Sequence, residues 1–405
     1  MRFHRNISFA VIDALMAIFN EGEYADKVVA RALKLDKRWG SSDRKFVAET
    51  IYDIVRWKRL YAEIAEIKKE PFDRDGIWRM FAVWATLKGH TLPDWKYFEG
   101  TPVRKIKGKF DELSKDRKFK ESIPDWMDEI GVKELGEAVW SKEIKAQNEP
   151  AKVILRTNTI NTTKEALKLE LLKLDIHTQA IEDYPEALVL DERANVFMTD
   201  AFKNGMFEVQ DASSQMVAHM LDIQPGMRVV DTCAGAGGKT LHMACLMQNK
   251  GQIIAMDLYE SKLKQLKIRA KRNGIHNIEY RVIDTTKVIK KLHGQADRVL
   301  IDAPCSGLGV LKRNPDAKWK LKPEFIDNIR KVQAEVLESY APIVKPGGKL
   351  VDATCSVLPS ENQEQIKKFL ATETGKNFTF VEDKKVLAHE SGYDGFYMAL
   401  LTRNN

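Results

Sequence analysis

Leu300-Ile301-Asp302-Ala303-Pro304-Cys305-Ser306-Gly307-Leu308-Gly309 decides the fold. The apolar run Val299 to Ile301 reads as a buried strand, broken into a loop at Pro304 and Gly307. Asp302 and Cys305 therefore belong at a strand end, the edge at which open α/β sheets hold ligands. About fifty residues on, Gly347-Gly348-Lys349-Leu350-Val351-Asp352-Ala353-Thr354-Cys355-Ser356 repeats the pattern as a second short strand running into a cysteine. Two thiols brought to one sheet edge point to covalent chemistry.

Working outward, strand and helix patterns alternate from the Pro225-Gly226 turn onward. Met227 to Asp231 reads as a strand, Thr240 to Met247 as a helix, and Gln252 to Asp257 as a strand. A basic helix from Glu260 to Arg272, a strand from Ile278 to Ile283, the strand of Asp302, a helix from Pro323 to Val344 and the strand of Cys355 follow. Such βαβ units imply an α/β, Rossmann-like domain with a parallel-rich, doubly wound sheet over residues 209–405. Residues 148–208 read as a small α/β subdomain, with strands at Val153 to Asn158, Ala187 to Leu190 and Val196 to Met198 and a helix from Thr163 to Leu174. Residues 1–142 carry apolar spacing of helical period, as in Phe9, Ile12, Leu15, Met16 and Phe19, with Ser41-Ser42-Asp43 as a helix cap. Trp57, Trp78, Trp84, Trp95 and Trp126 keep company with Leu and Ile and read as core fillers. Residues 103–122 are charged and poor in apolar positions, so a surface loop or irregular helix is expected there.

At 405 residues the chain exceeds a typical single core. No apolar run approaches the ~18 residues of a membrane span, and the first apolar stretch is interrupted by Asp13, so a cytoplasmic protein is expected. Four cysteines, none in C-x-x-C spacing, argue for free thiols and for no metal. The net charge of +7 favours a polyanionic partner only weakly. Clustering says more: Lys262, Lys264, Lys267, Arg269, Lys271 and Arg272 fall in one helix, and Arg104, Lys105, Lys107 and Lys109 form another run, although each can equally be a solvated helix face.

The turn Cys233-Ala234-Gly235-Ala236-Gly237-Gly238-Lys239 joins the first strand of the large domain to its helix. A phosphate-binding P-loop needs glycine where Cys233 stands, and a dinucleotide fingerprint needs its third glycine later than Gly238. S-adenosylmethionine remains, a cofactor without a pyrophosphate that requires a tight glycine turn and an acid on the next strand. Asp257 supplies that acid for the ribose hydroxyls, and Asp284 is placed for the adenine amino group or, alternatively, as a helix cap. Cytosine C5 is a poor nucleophile, and a thiolate adding to C6 makes it enamine-like, able to take a methyl group before the sulfur is expelled. Asp302, Cys305 and Cys355 are the residue types such a site needs.

The Asp302 to Gly307 and Ala353 to Ser356 blocks closely resemble the RsmB/Sun family of S-adenosylmethionine-dependent RNA cytosine-C5 methyltransferases. So do Val209-Gln210-Asp211-Ala212-Ser213-Ser214-Gln215, the Lys312-Arg313-Asn314-Pro315-Asp316 to Trp319 segment and the closing Gly392-Tyr393-Asp394-Gly395-Phe396-Tyr397. More loosely, Asp43-Arg44-Lys45-Phe46-Val47-Ala48 through Arg56 is similar to the NusB-like helical RNA-binding domain of such enzymes. The resemblance implies that Cys355 attacks, that Cys305 assists release, and that Asp302 lies between cofactor and base. It implies cofactor binding by Cys233, Ala234, Gly235, Ala236, Gly237, Gly238, Lys239, Asp257, Asp284 and Asp302, with Lys239 against either the base or the aminocarboxylate. Lys312, Arg313 and Lys318 would hold RNA phosphates, with the small subdomain also on RNA. The family's turn reads Cys-Ala-Ala-Pro-Gly-Gly-Lys, and Gly235-Ala236 in place of Ala-Pro predicts a looser turn and weaker cofactor affinity. The expectation is a monomeric enzyme acting on ribosomal RNA, 16S in particular, with transfer RNA as the alternative substrate and a non-catalytic RNA-binding assembly factor as the reading from another class.

Overall fold

Short β-branched runs alternating with amphipathic helices build the larger part of the molecule, and the computed structural model describes residues 3–405. Two compact units emerge: residues 1–149 with 311–323, and residues 150–310 with 324–405. The segment Leu311–Pro323 thus joins the helical unit, although it interrupts the sheet domain in sequence.

In the second unit, β1 (Ile154–Thr157), β2 (Thr178–Ile181), β3 (Tyr184–Leu190) and β4 (Phe207–Val209) form an antiparallel sheet in the order β2-β3-β1-β4. With the helix Lys164–Leu172 after β1 and the short helix Asp200–Lys203 before β4, this is a ferredoxin-like arrangement. Val196–Met198, expected to be a strand, is a single 3₁₀ turn, because only Val196 is buried and the exposed Phe197 and Met198 have no strand to face.

The same unit carries a seven-stranded sheet of β5 (Arg228–Asp231), β6 (Gln252–Asp257), β7 (Ile278–Val282), β8 (Ala296–Asp302), β9 (Val344–Thr354), β10 (Phe378–Val386) and β11 (Phe396–Arg403), in the order β10-β11-β9-β8-β5-β6-β7. Strands β5 to β9 pair in parallel, and β10 and β11 close one edge antiparallel. Val229, Val230, Ile253, Ile254, Val299, Leu300 and Leu350 are buried on both faces, as continuous apolar strands of a covered parallel sheet should be. Asp302 pairs in register with Ala353, which puts the last residue of β8 level with the last turn of β9 before Cys355.

The first unit is helical, with Arg5–Asn20, Ser41–Arg56 and Arg74–Leu87 around a core containing Val11, Leu15, Ile51, Ile54, Trp78 and Phe81. Trp78 and Trp84 are buried, while Trp57, Trp95 and Trp126 are half-buried. The helix cap at 41 works through Asp43, whose carboxylate accepts the Gly40 N–H at 3.1 Å, rather than through the serines. Residues 103–122, expected as a surface loop or an irregular helix, take the helical alternative as two helices, Val103–Leu113 and Arg117–Lys120, since Ile106 gives the first an inward face. The helix after Pro323 ends at Tyr340, where Pro342 prevents its continuation. Among the described residues no helix is long and apolar enough to cross a membrane.

Candidate active site

The parallel strands deliver four chemistry-bearing groups to one edge. Asp302 ends β8, Cys305 follows in its loop, Cys355 follows β9, and Lys239 lies in the first turn of the helix Gly238–Leu246 after β5. The Cys305 and Cys355 sulfurs approach to 3.3 Å, and Lys239 Nζ stands 2.7 Å from Asp302 Oδ2. Burial opposes the Lys239 charge, yet the Asp302 carboxylate outweighs it and raises the lysine pKa; the Cys355 sulfur adds to the rise. The ammonium is therefore held charged beside the Cys355 thiol. The Cys305 thiol is pushed well above its usual range, first by its hydrogen-bonding contact with Cys355 and then by burial. Both thiols are partly accessible.

The two cysteine loops are stitched together behind the sulfurs. Gly309 donates its N–H to the Cys355 carbonyl at 2.9 Å and accepts from Gly395 N–H at 2.7 Å. A Cβ at Gly309 would lie 2.2 Å from the Gly395 oxygen and 2.8 Å from the Cys355 oxygen, so only glycine permits this approach. Ser213 Oγ donates to the Asp394 carbonyl at 2.9 Å, which brings the Val209–Gln215 and Gly392–Tyr397 blocks to the same loops.

Glu361, a residue that the sequence did not single out, spans both loops. Its carboxylate accepts from Ser306 N (2.7 Å), Ser306 Oγ (2.6 Å) and Ser356 Oγ (2.8 Å), the residues that directly follow the two cysteines. Asn362 adds a bond from Nδ2 to the Ser356 carbonyl at 3.0 Å. The one signal was a carboxylate a few residues beyond the second cysteine, just past the apolar Val357-Leu358-Pro359.

The cofactor-type turn is tightly held. Asp257 Oδ2 accepts the Gly235 N–H at 2.8 Å, and its other oxygen accepts the Tyr259 N–H at 2.8 Å. Ala234 N–H donates to the Met256 carbonyl at 2.9 Å, and Arg269 donates to the Ala236 carbonyl at 2.7 Å. Gly235 and Gly237 take left-handed φ values of 55° and 89°, and a Cβ at Gly237 would strike Leu266 at 1.9 Å. The looseness expected from Gly235-Ala236 is thus offset by Asp257 and Arg269. Beneath the turn, Asp231 is buried with Oδ1 unpartnered, and burial pushes its carboxyl up to about 7. Asp284 lies in the loop past the end of β7, exposed, and does not cap the helix that begins at Thr286.

Of the RNA-contact candidates, Lys312 and Lys318 are buried and Arg313 is half-buried. Lys318, expected to hold an RNA phosphate, is instead buried: its ammonium donates to the carbonyls of Arg56 (3.1 Å), Glu121 (3.2 Å) and Ser122 (3.1 Å) and to Asn148 Oδ1 (2.7 Å). Arg56 ends one helix and Glu121 follows another, so the cation satisfies carbonyls that helix C-termini leave open. On the helix Glu260–Arg272, Lys262, Lys264, Lys267 and Lys271 are exposed, whereas Arg269 and Arg272 pair with Glu208.

Residues 218–402 match the family model described as 16S rRNA methyltransferase RsmB/F, and residues 123–197 match that of the RsmF/B-like ferredoxin-like domain. The chain is 29% identical to a probable ribosomal RNA small subunit methyltransferase B of Synechocystis sp., over 98% of this chain and 99% of that protein. It is 33% identical to the probable enzyme of the same name from Bacillus subtilis, over 70% of this chain and 66% of that protein. The crystal structure of PH0851 superposes with a TM-score of 0.84 at 27% identity, covering 99% of both chains. The convergence of Asp302, Cys305, Cys355 and the glycine turn on one sheet edge agrees with these likenesses: the chain belongs to the RsmB/F methyltransferase family.

Proposed function

We propose that the chain methylates C5 of a cytosine in small-subunit ribosomal RNA, the 16S species, through a covalent adduct between Cys355 and C6. The observation that carries this reading is the 3.3 Å approach of two thiols at adjacent strand ends, beside the Lys239–Asp302 pair. The names of the relatives support the choice of RNA.

The residues present fit S-adenosylmethionine. The turn Cys233–Lys239 is preset by left-handed glycines, and Asp257 and Asp302 flank it as acceptors at the ends of β6 and β8. Bound there, S-adenosylmethionine supplies an electrophilic methyl group. The remaining steps belong to the protein. Cys355, ionised beside the Lys239 ammonium, forms the S–C6 bond, and the displaced electron pair moves to N3, which takes a proton from the Lys239–Asp302 pair. Once C5 carries the methyl group, its proton leaves to solvent, the C5–H electron pair forms the C5=C6 bond, the S–C6 pair returns to sulfur, and N3 gives its proton back to the Lys239–Asp302 pair. Cys305, kept as a thiol by its raised pKa, donates a hydrogen bond to that departing sulfur. The basic face of the helix Glu260–Arg272 would attract the phosphates.

The test is transfer of labelled methyl to unmodified small-subunit ribosomal RNA, followed by nucleoside analysis. Labelled 5-methylcytidine is expected. Label in transfer RNA alone would overturn the choice of RNA, and label on another base or position would overturn the chemistry.

A further inference from the structure

Away from the cysteines, three side chains from three elements of the second unit converge without any assigned role. Glu186 lies on β3, His219 on the helix Ala212–Met220 and His242 on the helix Gly238–Leu246. Glu186 Oε2 is 2.8 Å from His219 Nε2 and 3.5 Å from His242 Nε2, and the three ligand atoms all lie within 4.8 Å of one another. The imidazole planes stand at 80° to each other, 5.1 Å apart. Ligands about 2.0–2.2 Å from a tetrahedral zinc ion are roughly 3.4 Å from one another, so only small adjustments separate this cluster from a coordination shell.

A second observation comes from His242. Its side chain is fully buried, Nδ1 has no hydrogen-bond partner, and Nε2 faces only Glu186 Oε2 at 3.5 Å, a long contact. A buried imidazole so weakly partnered is costly unless something else takes the Nε2 lone pair. A pocket of about 240 Å³ lined by Glu186, Gln215 and His219 opens on the cluster and leaves room for a water as fourth ligand.

We propose that Glu186, His219 and His242 form a zinc site that fastens the four-stranded sheet to the two helices flanking the methyltransferase core. Ligation needs both imidazoles protonated on Nδ1, with the Nε2 lone pairs and one carboxylate oxygen on the metal. The site would fix the helix whose first turn carries Lys239, so its role is structural. The titratable and charged groups facing His242 are Glu186, His219 and the buried Arg156, whose guanidinium bonds Gln210 and Gly238; the guanidinium charge opposes a dication and should make binding weaker than in a site of carboxylates and thiolates.

The test uses the full chain stripped by a chelator, then titrated with Zn²⁺ by calorimetry and with Co²⁺ by visible absorption, with thermal melts alongside. Stoichiometric binding, the visible bands of tetrahedral cobalt and a rise in melting temperature with zinc are expected. His219→Ala, at a partly exposed position that tolerates truncation, and the isosteric Glu186→Gln should each lose the cobalt bands and weaken zinc at least tenfold while still melting cooperatively. Absence of binding by the unaltered chain, or binding by both variants equal to it, would overturn the site. Neither readout depends on methyl transfer, so this outcome is separate from that of the proposed activity.

Discussion

Two lysines of this molecule lie in motifs that looked equally functional, and their surroundings give them opposite roles. Lys239, 13% exposed at the sheet edge, faces the Asp302 carboxylate and has a raised pKa. Lys318, fully buried in the helical unit, bonds neutral carbonyl and amide oxygens, and burial lowers its pKa well below the usual lysine range. Under the proposed mechanism an ammonium opposite a carboxylate beside thiols serves chemistry, whereas one that collects helix-end carbonyls holds a fold together. The residue type is the same, and the partner decides.

Lys239→Met should give the largest effect. It leaves Asp302 unpaired and Cys355 without its cation, and methyl transfer should fall about 10³-fold or more in kcat/KM, read with labelled cofactor. A fall below tenfold would break the distinction. The same rule applied to a carboxylate concerns Asp231, whose pKa in the fold is about 7 against an ordinary value of 3.8. Between those values the folded protein holds a proton that the unfolded chain releases. Stability from this group is therefore complete below pH 4 and lost as the pH rises to 7, a change of up to about 4 kcal/mol. Comparing thermal melts of the unaltered chain and Asp231→Asn across this range, the unaltered chain should lose ground steadily to the variant; parallel curves would contradict the assignment.

Lys318→Met orphans four oxygens and should destabilise the helical unit by about 3 kcal/mol in denaturant melts. Activity per folded molecule should not change. A folded, normally stable variant with weakened, less salt-dependent RNA binding would return Lys318 to the role expected from its motif. The smallest effect is expected from Glu361→Gln, which presents an amide to groups that all donate to the carboxylate. Methyl transfer should fall about 10- to 100-fold in kcat with little change in cofactor KM, since the cysteine loops shift while the turn at Gly235 stays in place. An equal loss in KM would mean that Glu361 supports the whole edge rather than the two loops.

Much of this was legible in the chain because local pattern and global fold agree. Continuous apolar runs ending in Asp231, Asp257 and Asp302 mark parallel strands by composition alone, and their ends mark the edge where ligands sit. Glycines at 235, 237 and 309 announce turns and close approaches that no other residue allows. What could not be read depends on partners distant in sequence. Lys318 meets Arg56 and Asn148 across hundreds of positions, and nothing in the spacing of Leu311–Pro323 announces that it packs among the helices of residues 1–149. Glu361 and Arg269 are ordinary surface types until tertiary packing places them behind the cysteine loops and the glycine turn. Val196–Met198 has strand composition, and its exposure overrules that composition.

The central claim is that two thiols 3.3 Å apart divide the chemistry between them. It is tested most directly by denaturing electrophoresis of the unaltered chain, Cys305→Ala and Cys355→Ala after incubation with labelled ribosomal RNA and S-adenosylmethionine. The account predicts a slow-migrating protein–RNA adduct with Cys305→Ala, where attack proceeds and release stalls, and no adduct and no methylation with Cys355→Ala. An adduct trapped by Cys355→Ala instead would reverse the two roles, and full methylation by either variant would contradict the division of labour itself.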